Sequence, residues 1–312
     1  MDLVIIAGGK GTRLGLKDMP KPMVEIGGKP LLEHQINLAK QYAINDIHIL
    51  SCHLSEVIID YFGDGRKFGV NISHIIEKSP LGTAGAVKQL ESRLNERFMV
   101  FYGDVFLDVD LKSFIDFDME ADSIANIIVH PNDHPYDSDL VEIDDENMVT
   151  VFHSKPHDEN QYYRNLVNAA VYVVSPDIFK YIPHDKSSDF GKDIFPLILQ
   201  SDKVIRAYKT AEYIKDIGTI ERLKKVSKDM ISGKVKRFSK RYKRPAIFID
   251  RDGTLVEEVD LLHRVEDLEL LSFSASAIKK INNSAYLSFL ITNQPVVARN
   301  LCDTSVIAQI HN

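Results

Sequence analysis

Five short apolar runs separated by helical text dominate the first 130 residues, and they constrain the fold more than any other feature. The runs occupy residues 3–7, 46–52, 71–77, 98–102 and 123–130. They are rich in Val and Ile and almost free of polar interruption, the pattern of strands covered on both faces. Helical stretches lie between them at 30–42, 56–62, 83–94 and 110–121. This alternation predicts an α/β fold, a doubly wound and mostly parallel sheet with right-handed crossovers. From 140 to 216 the text changes to short strands (140–143, 149–153, 167–174, 204–210) around helical pieces near 176–182 and 193–200. That stretch is expected to build one wall of a cleft.

A helix is predicted over 221–233, with Gly233 as its stop. Residues 224–244 carry ten Lys or Arg against one acid, Asp229. A patch for a phosphate polymer or anionic membrane would have this composition, but a solvated helix and linker is the plainer reading. After residue 244 the pattern restarts, with strands at 246–249 and 286–292 and a helix near 274–283. The predicted organisation is a domain over 1–232, a basic linker over 233–244 and a second, partial α/β domain over 245–312.

Composition narrows the function. With 44% hydrophobic and 27% charged residues, the chain is neither disordered, collagenous nor a coiled coil. A net charge of −7 argues against general nucleic-acid binding. Cys52 and Cys302 are far apart and outside any CxxC pattern, so neither a disulfide framework nor a zinc site is expected. No run approaches the ~18 apolar residues of a membrane span, and no basic region precedes the first apolar one as in a signal peptide. A cytoplasmic location without membrane partners is expected, and homo-oligomerisation is left open.

The first run leads directly into Gly8-Gly9-Lys10-Gly11-Thr12-Arg13-Leu14. Three glycines within four residues after a strand let backbone N–H groups approach phosphate oxygens. Arg13 can fork onto such oxygens, and Lys21 adds a second cation. The loop is neither a P-loop nor GxGxxG. Residues 7–14 with Pro20-Lys21-Pro22-Met23 resemble the opening of the sugar-1-phosphate nucleotidylyltransferase family. Four further motifs follow in the family's order: Pro80-Leu81-Gly82-Thr83-Ala84-Gly85, Tyr102-Gly103-Asp104, Ser154-Lys155-Pro156 and Lys215-Asp216-Ile217-Gly218-Thr219. The resemblance extends to about residue 225.

What the resemblance implies is a Rossmann-like fold and attack of a sugar-1-phosphate oxygen on the α-phosphorus of a nucleoside triphosphate, expelling pyrophosphate. Both reactants are anions, so charge neutralisation and alignment are the main tasks. By resemblance Asp104 and Asp216 form a carboxylate pair holding Mg²⁺. Arg13 stabilises the departing pyrophosphate, Lys21 the α-phosphate and Lys155 the attacking sugar phosphate. Gly8, Gly9, Gly11 and Thr12 cradle the nucleotide, and Gly82 and Thr83 belong to the loop that holds the base. Ser154 stands where the family often has Glu. Asn168 resembles a sugar-contacting Asn, with Ala169 or Ala170 where glycine is common. Glu77 ends its strand just ahead of the second glycine loop. A carboxylate there suits the N1–H and N2–H₂ donors of guanine, and an ordinary exposed Glu is the alternative.

The second domain opens on Phe248-Ile249-Asp250-Arg251-Asp252-Gly253-Thr254-Leu255, and Ile291-Thr292-Asn293-Gln294 follows the next strand. These resemble the first two motifs of haloacid-dehalogenase (HAD) phosphatases, and the heptose-bisphosphate subgroup in particular. The resemblance makes Asp250 a nucleophile, Asp252 a general acid/base and Thr292 a phosphate ligand. Pro295-Val296-Val297 replaces that subgroup's small Ser-Gly pair, its zinc loop is missing, and 18 residues follow Gln294. Vestigial, negligible phosphatase activity is expected, with too little buried apolar surface for independent stability. The fusion points to D-glycero-D-manno-heptose 1-phosphate and GTP as substrates. A hexose-1-phosphate enzyme using dTTP, UTP or GTP is the runner-up. A non-catalytic sugar-nucleotide sensor, or a phosphatase with an appended transferase-like platform, would be a different class.

Overall fold

The apolar runs become strands and the intervening text becomes helices. The computed structural model describes all 312 residues except Lys10, Thr12, Arg13, Leu16, Lys17, Ala121, Glu159, Asn160 and Asn312. The chain divides into two units, Met1–Lys240 and Arg241–Asn312. The first begins with β1 (Leu3–Ile6), β2 (Glu25–Ile26), β3 (Lys29–Pro30), α1 (Leu31–Gln41), β4 (Asp46–Ser51), α2 (Ser55–Phe62) and β5 (Asn71–Ile76). Next come α3 (Gly82–Lys88), β6 (Phe98–Tyr102), β7 (Val105–Asp108), α4 (Leu111–Met119) and β8 (Ala125–His130). Then follow β9 (Leu140–Ile143), β10 (Val149–His153), β11 (Val167–Val174), α5 (Phe195–Leu199), β12 (Ile205–Lys209), β13 (Tyr213–Asp216), α6 (Ile220–Ile231) and α7 (Lys234–Phe238).

Nine strands form one sheet with a main path β10-β9-β11-β6-β1-β4-β5; β8 joins β11, and β12 joins β8. The half made of β5, β4, β1 and β6 is parallel, as is the β8–β12 pair. Strand β11, however, runs antiparallel to β6, β8 and β9, and β9 to β10. The sheet is therefore mixed, which corrects the expectation of a mostly parallel one. Among its described residues segment 140–174 carries no crossover helix, and strands joined without one return antiparallel.

Alternate residues of the central strands enter two different cores, which is why their sequences show no polar face. Leu3 and Ile5 of β1 lie in one buried cluster and Val4 in the other. Met99 and Phe101 of β6 join the first, Phe98 and Val100 the second. Burying a side chain of this size contributes about 1.5–3 kcal/mol, so these two layers dominate the stability of the unit.

Three local departures have physical causes. Helix α3 stops at Lys88 instead of reaching residue 94, because the following N–H groups bond three residues back, Leu90 to Val87 at 2.9 Å and Glu91 to Lys88 at 3.1 Å. The segment predicted as linker is partly helical: Val235 of α7 is buried against the cluster containing Ile217 and Val226. A small sheet that the periodicity did not reveal pairs β7 antiparallel with β13, in register Tyr213↔Asp108 to Asp216↔Val105.

In the second unit, β14 (Ala246–Asp250) pairs parallel with β15 (Leu287–Ile291), and helices α8 (Ser274–Asn282) and α9 (Thr304–Ile310) accompany them. Its buried apolar side chains among the described residues are Val256, Leu262, Val296 and Ile310, whereas Phe248 is 68% exposed and Ile291 56%. Phe248 and Phe289 stack with ring centroids 5.3 Å apart and both remain exposed.

His130, at the end of β8, is buried, and burial pushes its imidazole from 6.5 down to about 4. The unfolded chain takes up this proton near pH 6.5, while the folded chain resists it until about pH 4. The stability tied to neutral His130 is full above pH 6.5 and is lost as the pH falls towards 4, on the order of 3 kcal/mol. Urea unfolding across this range should show that loss, and H130Q should flatten it. Identical profiles for both proteins would contradict the assignment.

Candidate active site

The β7–β13 pairing brings Asp104 and Asp216 together. Asp104 follows β6, and its carbonyl accepts the Ile217 N–H at 2.9 Å, while Asp216 pairs with Val105 one residue along. The turn carrying Asp104 is held from below by α1. There Gln35 is 1% exposed and donates to the carbonyls of Tyr102 at 2.8 Å and Val105 at 2.7 Å. Its Oε1 is buried without a partner among the described residues, so the amide is committed to bracketing Gly103 and Asp104. Gly103 also donates its N–H to Ile6 at 2.8 Å, which ties the turn to the end of β1.

A cavity of about 220 Å³ opens at this point and is lined by Lys21, Asp104, Lys155, Asn168 and Asp216, all anticipated from the sequence. Lys21 Nζ donates to Asp104 Oδ2 at 2.6 Å. Lys155 Nζ donates to the Asp137 carbonyl at 2.9 Å. Asn168 donates to the Tyr172 hydroxyl at 2.9 Å and accepts the Ala170 N–H at 3.1 Å. Ala170 has φ +56°, the left-handed region that favours glycine, so it occupies the position for which a glycine is better suited.

The sequence reading missed most of the electrostatic frame. Arg222, in the first turn of α6, donates from Nη1 to both oxygens of Asp216 at 2.6 and 2.7 Å, and from Nη2 to Asp137. Burial raises the Asp216 pKa, but the Arg222 guanidinium and the Gly218 N–H outweigh it and hold the carboxyl below its usual value. Asp133 binds both Lys215 and Lys225, and these ammonium groups hold it well below its usual range despite burial. Asp137, Asp139 and Asp189 supply further carboxylates to the cavity wall. None of these acids belonged to a recognised motif. The one available signal was Arg222 lying six residues beyond Asp216 at a helix start.

The proposed nucleotide-binding positions divide differently. Arg13 and Thr12 lie outside the described residues. Gly8, Gly9, Gly11, Glu77, Gly82 and Thr83 do not line the cavity. Gly82 has φ +74°, and a Cβ there would stand 2.4 Å from the Ser188 carbonyl oxygen. Thr83 donates to Asp189 at 2.8 Å and accepts the Phe190 N–H at 3.0 Å. The second glycine loop is thus pinned to segment 186–190. Glu77 is buried, not exposed: Oε2 accepts the Leu81 N–H at 3.0 Å, and Oε1 would lie 2.7 Å from a Cβ at Gly8. Burial raises its pKa, with the Leu81 N–H opposing. Glu77 therefore couples the two glycine loops.

In the second unit the three motif residues lie at the carboxyl ends of β14 and β15. Asp250 accepts the Arg251 N–H at 2.8 Å. Asp252 is held by the nearly buried Arg251 guanidinium at 2.8 Å and by Gln294 at 2.7 Å, and Thr292 donates to it at 3.5 Å.

This fold and site define a class, and comparison with known proteins agrees. The nucleotidyl transferase family model matches residues 3–233, and the chain belongs to that family. It is 34% identical over 225 residues to D-glycero-alpha-D-manno-heptose 1-phosphate guanylyltransferase of Campylobacter jejuni, covering 71% of this chain and 96% of the relative. It is 30% identical over 252 residues to a UTP–glucose-1-phosphate uridylyltransferase of Synechocystis, covering 76% of this chain and 65% of that one. The chain spans the same 65% of mannose-1-phosphate guanylyltransferase of Mycobacterium tuberculosis. The crystal structure of HddC from Yersinia pseudotuberculosis is similar with a TM-score of 0.64 and 31% identity, covering 73% of this chain and 99% of that one. The HddC protein has also been solved in complex with GMP-PN.

Replacing Gln35 by Leu would remove both of these hydrogen bonds, at a cost of about 1–3 kcal/mol. A lowered urea midpoint is expected for Q35L, and an unchanged midpoint would contradict the bracketing role.

Proposed function

We propose that the chain joins a nucleoside triphosphate and a sugar 1-phosphate to give a nucleoside-diphosphate sugar and pyrophosphate, with GTP and D-glycero-D-manno-heptose 1-phosphate as substrates. The observation that carries this reading is the meeting of Lys21, Asp104, Asp216 and Lys155 around one cavity. A phosphate oxygen of the sugar 1-phosphate attacks the α-phosphorus. The bond from that phosphorus to the bridging oxygen breaks, and the electron pair leaves with pyrophosphate. Lys21 offsets charge at the α-phosphate, and Lys155 and Asn168 orient the sugar phosphate. Arg13, Thr12 and the glycines Gly8, Gly9 and Gly11 receive the triphosphate. No covalent adduct with the protein is required.

Mg²⁺ is the cofactor we infer. Asp104 and Asp216 are hard oxygen donors lining one cavity, and an ion that takes one or two carboxylates and otherwise water and phosphate fits them. Among the described residues no group of three or more His, Cys, Asp or Glu forms a fuller cage. When bound, Mg²⁺ would neutralise charge and align the phosphates.

The choice of guanosine rests on likeness to relatives named as guanylyltransferases, and we assign Glu77 to the base, supported by its hydrogen bond to Leu81 in the second glycine loop. Relatives named for glucose and mannose 1-phosphates support a hexose substrate as the second reading. The setting we infer is cytoplasmic, supported by a cysteine count of only two; among the described residues no helix is long and apolar enough to cross a membrane. We take residues 245–312 to be an HAD-like segment without phosphatase activity, since Asp252 is occupied by Arg251 and Gln294.

Pyrophosphate release across four triphosphates and a panel of sugar 1-phosphates tests the reading. GTP with heptose 1-phosphate is expected to be fastest, D104N to lower turnover by orders of magnitude without changing the melting temperature, and no sugar bisphosphate to be hydrolysed. Preference for dTTP or UTP would overturn the base assignment, and silence with every pair would overturn the activity.

A further inference from the structure

The two acids assigned to the metal are not equally available. Asp104 meets Lys21 through Oδ2 alone, and its side chain is 39% exposed. Asp216 has both oxygens straddled by a single guanidinium nitrogen, accepts the Gly218 N–H at 3.1 Å as well, and faces an Arg222 side chain only 15% exposed. Arg222 cannot drift away freely, because its other terminal nitrogen is bound to Asp137.

The arrangement follows from the local chain. Strand β13 ends at Asp216, and a Cβ at Gly218 would stand only 3.2 Å from Asp216 Oδ1. The Thr219 side chain caps α6 by accepting the Arg222 N–H at 3.3 Å. The cap fixes the first helical turn, so Arg222 projects back over the strand end. A planar guanidinium presents its donors in a fixed fork on separate nitrogens, so one side chain holds Asp216 through Nη1 and Asp137 through Nη2.

We propose that Arg222 is a built-in rival of the divalent cation for Asp216. The inference rests on the reading of Asp104 and Asp216 as the metal pair. In metal-free protein the guanidinium occupies the carboxylate where a cation would approach, and its positive charge opposes that approach. Uptake of the cation transfers Asp216 from Arg222 to the ion. The guanidinium stays tethered to Asp137 on the cavity wall, with Nη1 donors released towards anionic groups entering the cavity. Divalent ion and free protein therefore bind each other weakly, and an incoming phosphate that can accept the released donors favours the exchange. Arg222 acts here as a positioning residue, through Asp216.

The test is Mn²⁺ binding to the full chain without nucleotide, read by calorimetry or by the loss of free-ion electron paramagnetic resonance signal. R222Q is expected to bind Mn²⁺ several-fold more tightly than the unaltered protein, and D216N in the same background to abolish the gain. Equal or weaker binding by folded R222Q overturns the proposal. Should R222Q not fold, side-chain ¹⁵N resonances of the unaltered protein give the answer. The Arg222 guanidinium signal, assigned by its absence in R222K, is expected to shift on saturation with Mg²⁺, and an unmoved signal overturns the proposal. The assay uses no substrate, so the two readings fail differently. Mn²⁺ binding indifferent to both D104N and D216N removes the metal pair itself. Binding that D216N weakens and R222Q leaves unchanged removes only the rivalry.

Discussion

The antiparallel pairing of β7 with β13 is the constraint on which the site depends. Asp216 lies opposite Val105 in register, 111 residues away along the chain, so only tertiary structure can join them. The Ile217 N–H closes the pair onto the Asp104 carbonyl. A one-residue slip would turn every side chain of β13 to the opposite face and separate the acids. Gln35 fixes the turn before β7, and the α6 cap fixes the turn after β13. Two short strands, held at both ends, thus convert a large separation along the chain into two carboxylates lining one cavity.

Charge in the cavity is balanced before any ligand arrives. Lys21, Lys155 and Arg222 each contact a carboxylate. Such pairs, when partly exposed, contribute only about 0–1 kcal/mol each. They hold side chains in place without making exchange costly, and a phosphate carrying more charge than one carboxylate competes for the same donors. A site prepared in this way favours anionic reactants that bring their own counter-ion. It also accounts for Asp137, which pairs with both Lys155 and Arg222 at a position where no motif signals it.

Much of the fold was legible in the sequence because the central strands are covered on both faces, and uninterrupted apolar text survives any choice of helix packing. The same reasoning failed at β11, where Val171 and Tyr172 read equally well in a parallel or an antiparallel strand. It also failed at β7 and β13, four residues each, too short to show a period. Of the cavity residues anticipated, Lys21, Asp104, Lys155 and Asp216 lie in motifs of ordered spacing, and Asn168 was singled out by a separate likeness. Arg222 and Gln35 sit inside ordinary helical text, and their roles arise from what lies across the fold. The loop carrying Gly82 and Gly85 was read as the one that holds the base, and a Cβ at either glycine would also meet the backbone of segment 186–188 at 2.4 and 2.8 Å. Packing alone is enough to demand them.

A double-mutant cycle on kcat/KM tests most directly whether Asp104 and Asp216 act as one unit. The unaltered protein, D104N, D216N and the double variant would be compared at saturating Mg²⁺, with folding checked by circular dichroism. Two acids serving one ion should be strongly coupled, the double variant being scarcely slower than the worse single one. Losses that multiply independently would show that the strand pairing places the carboxylates in one cavity without a shared task.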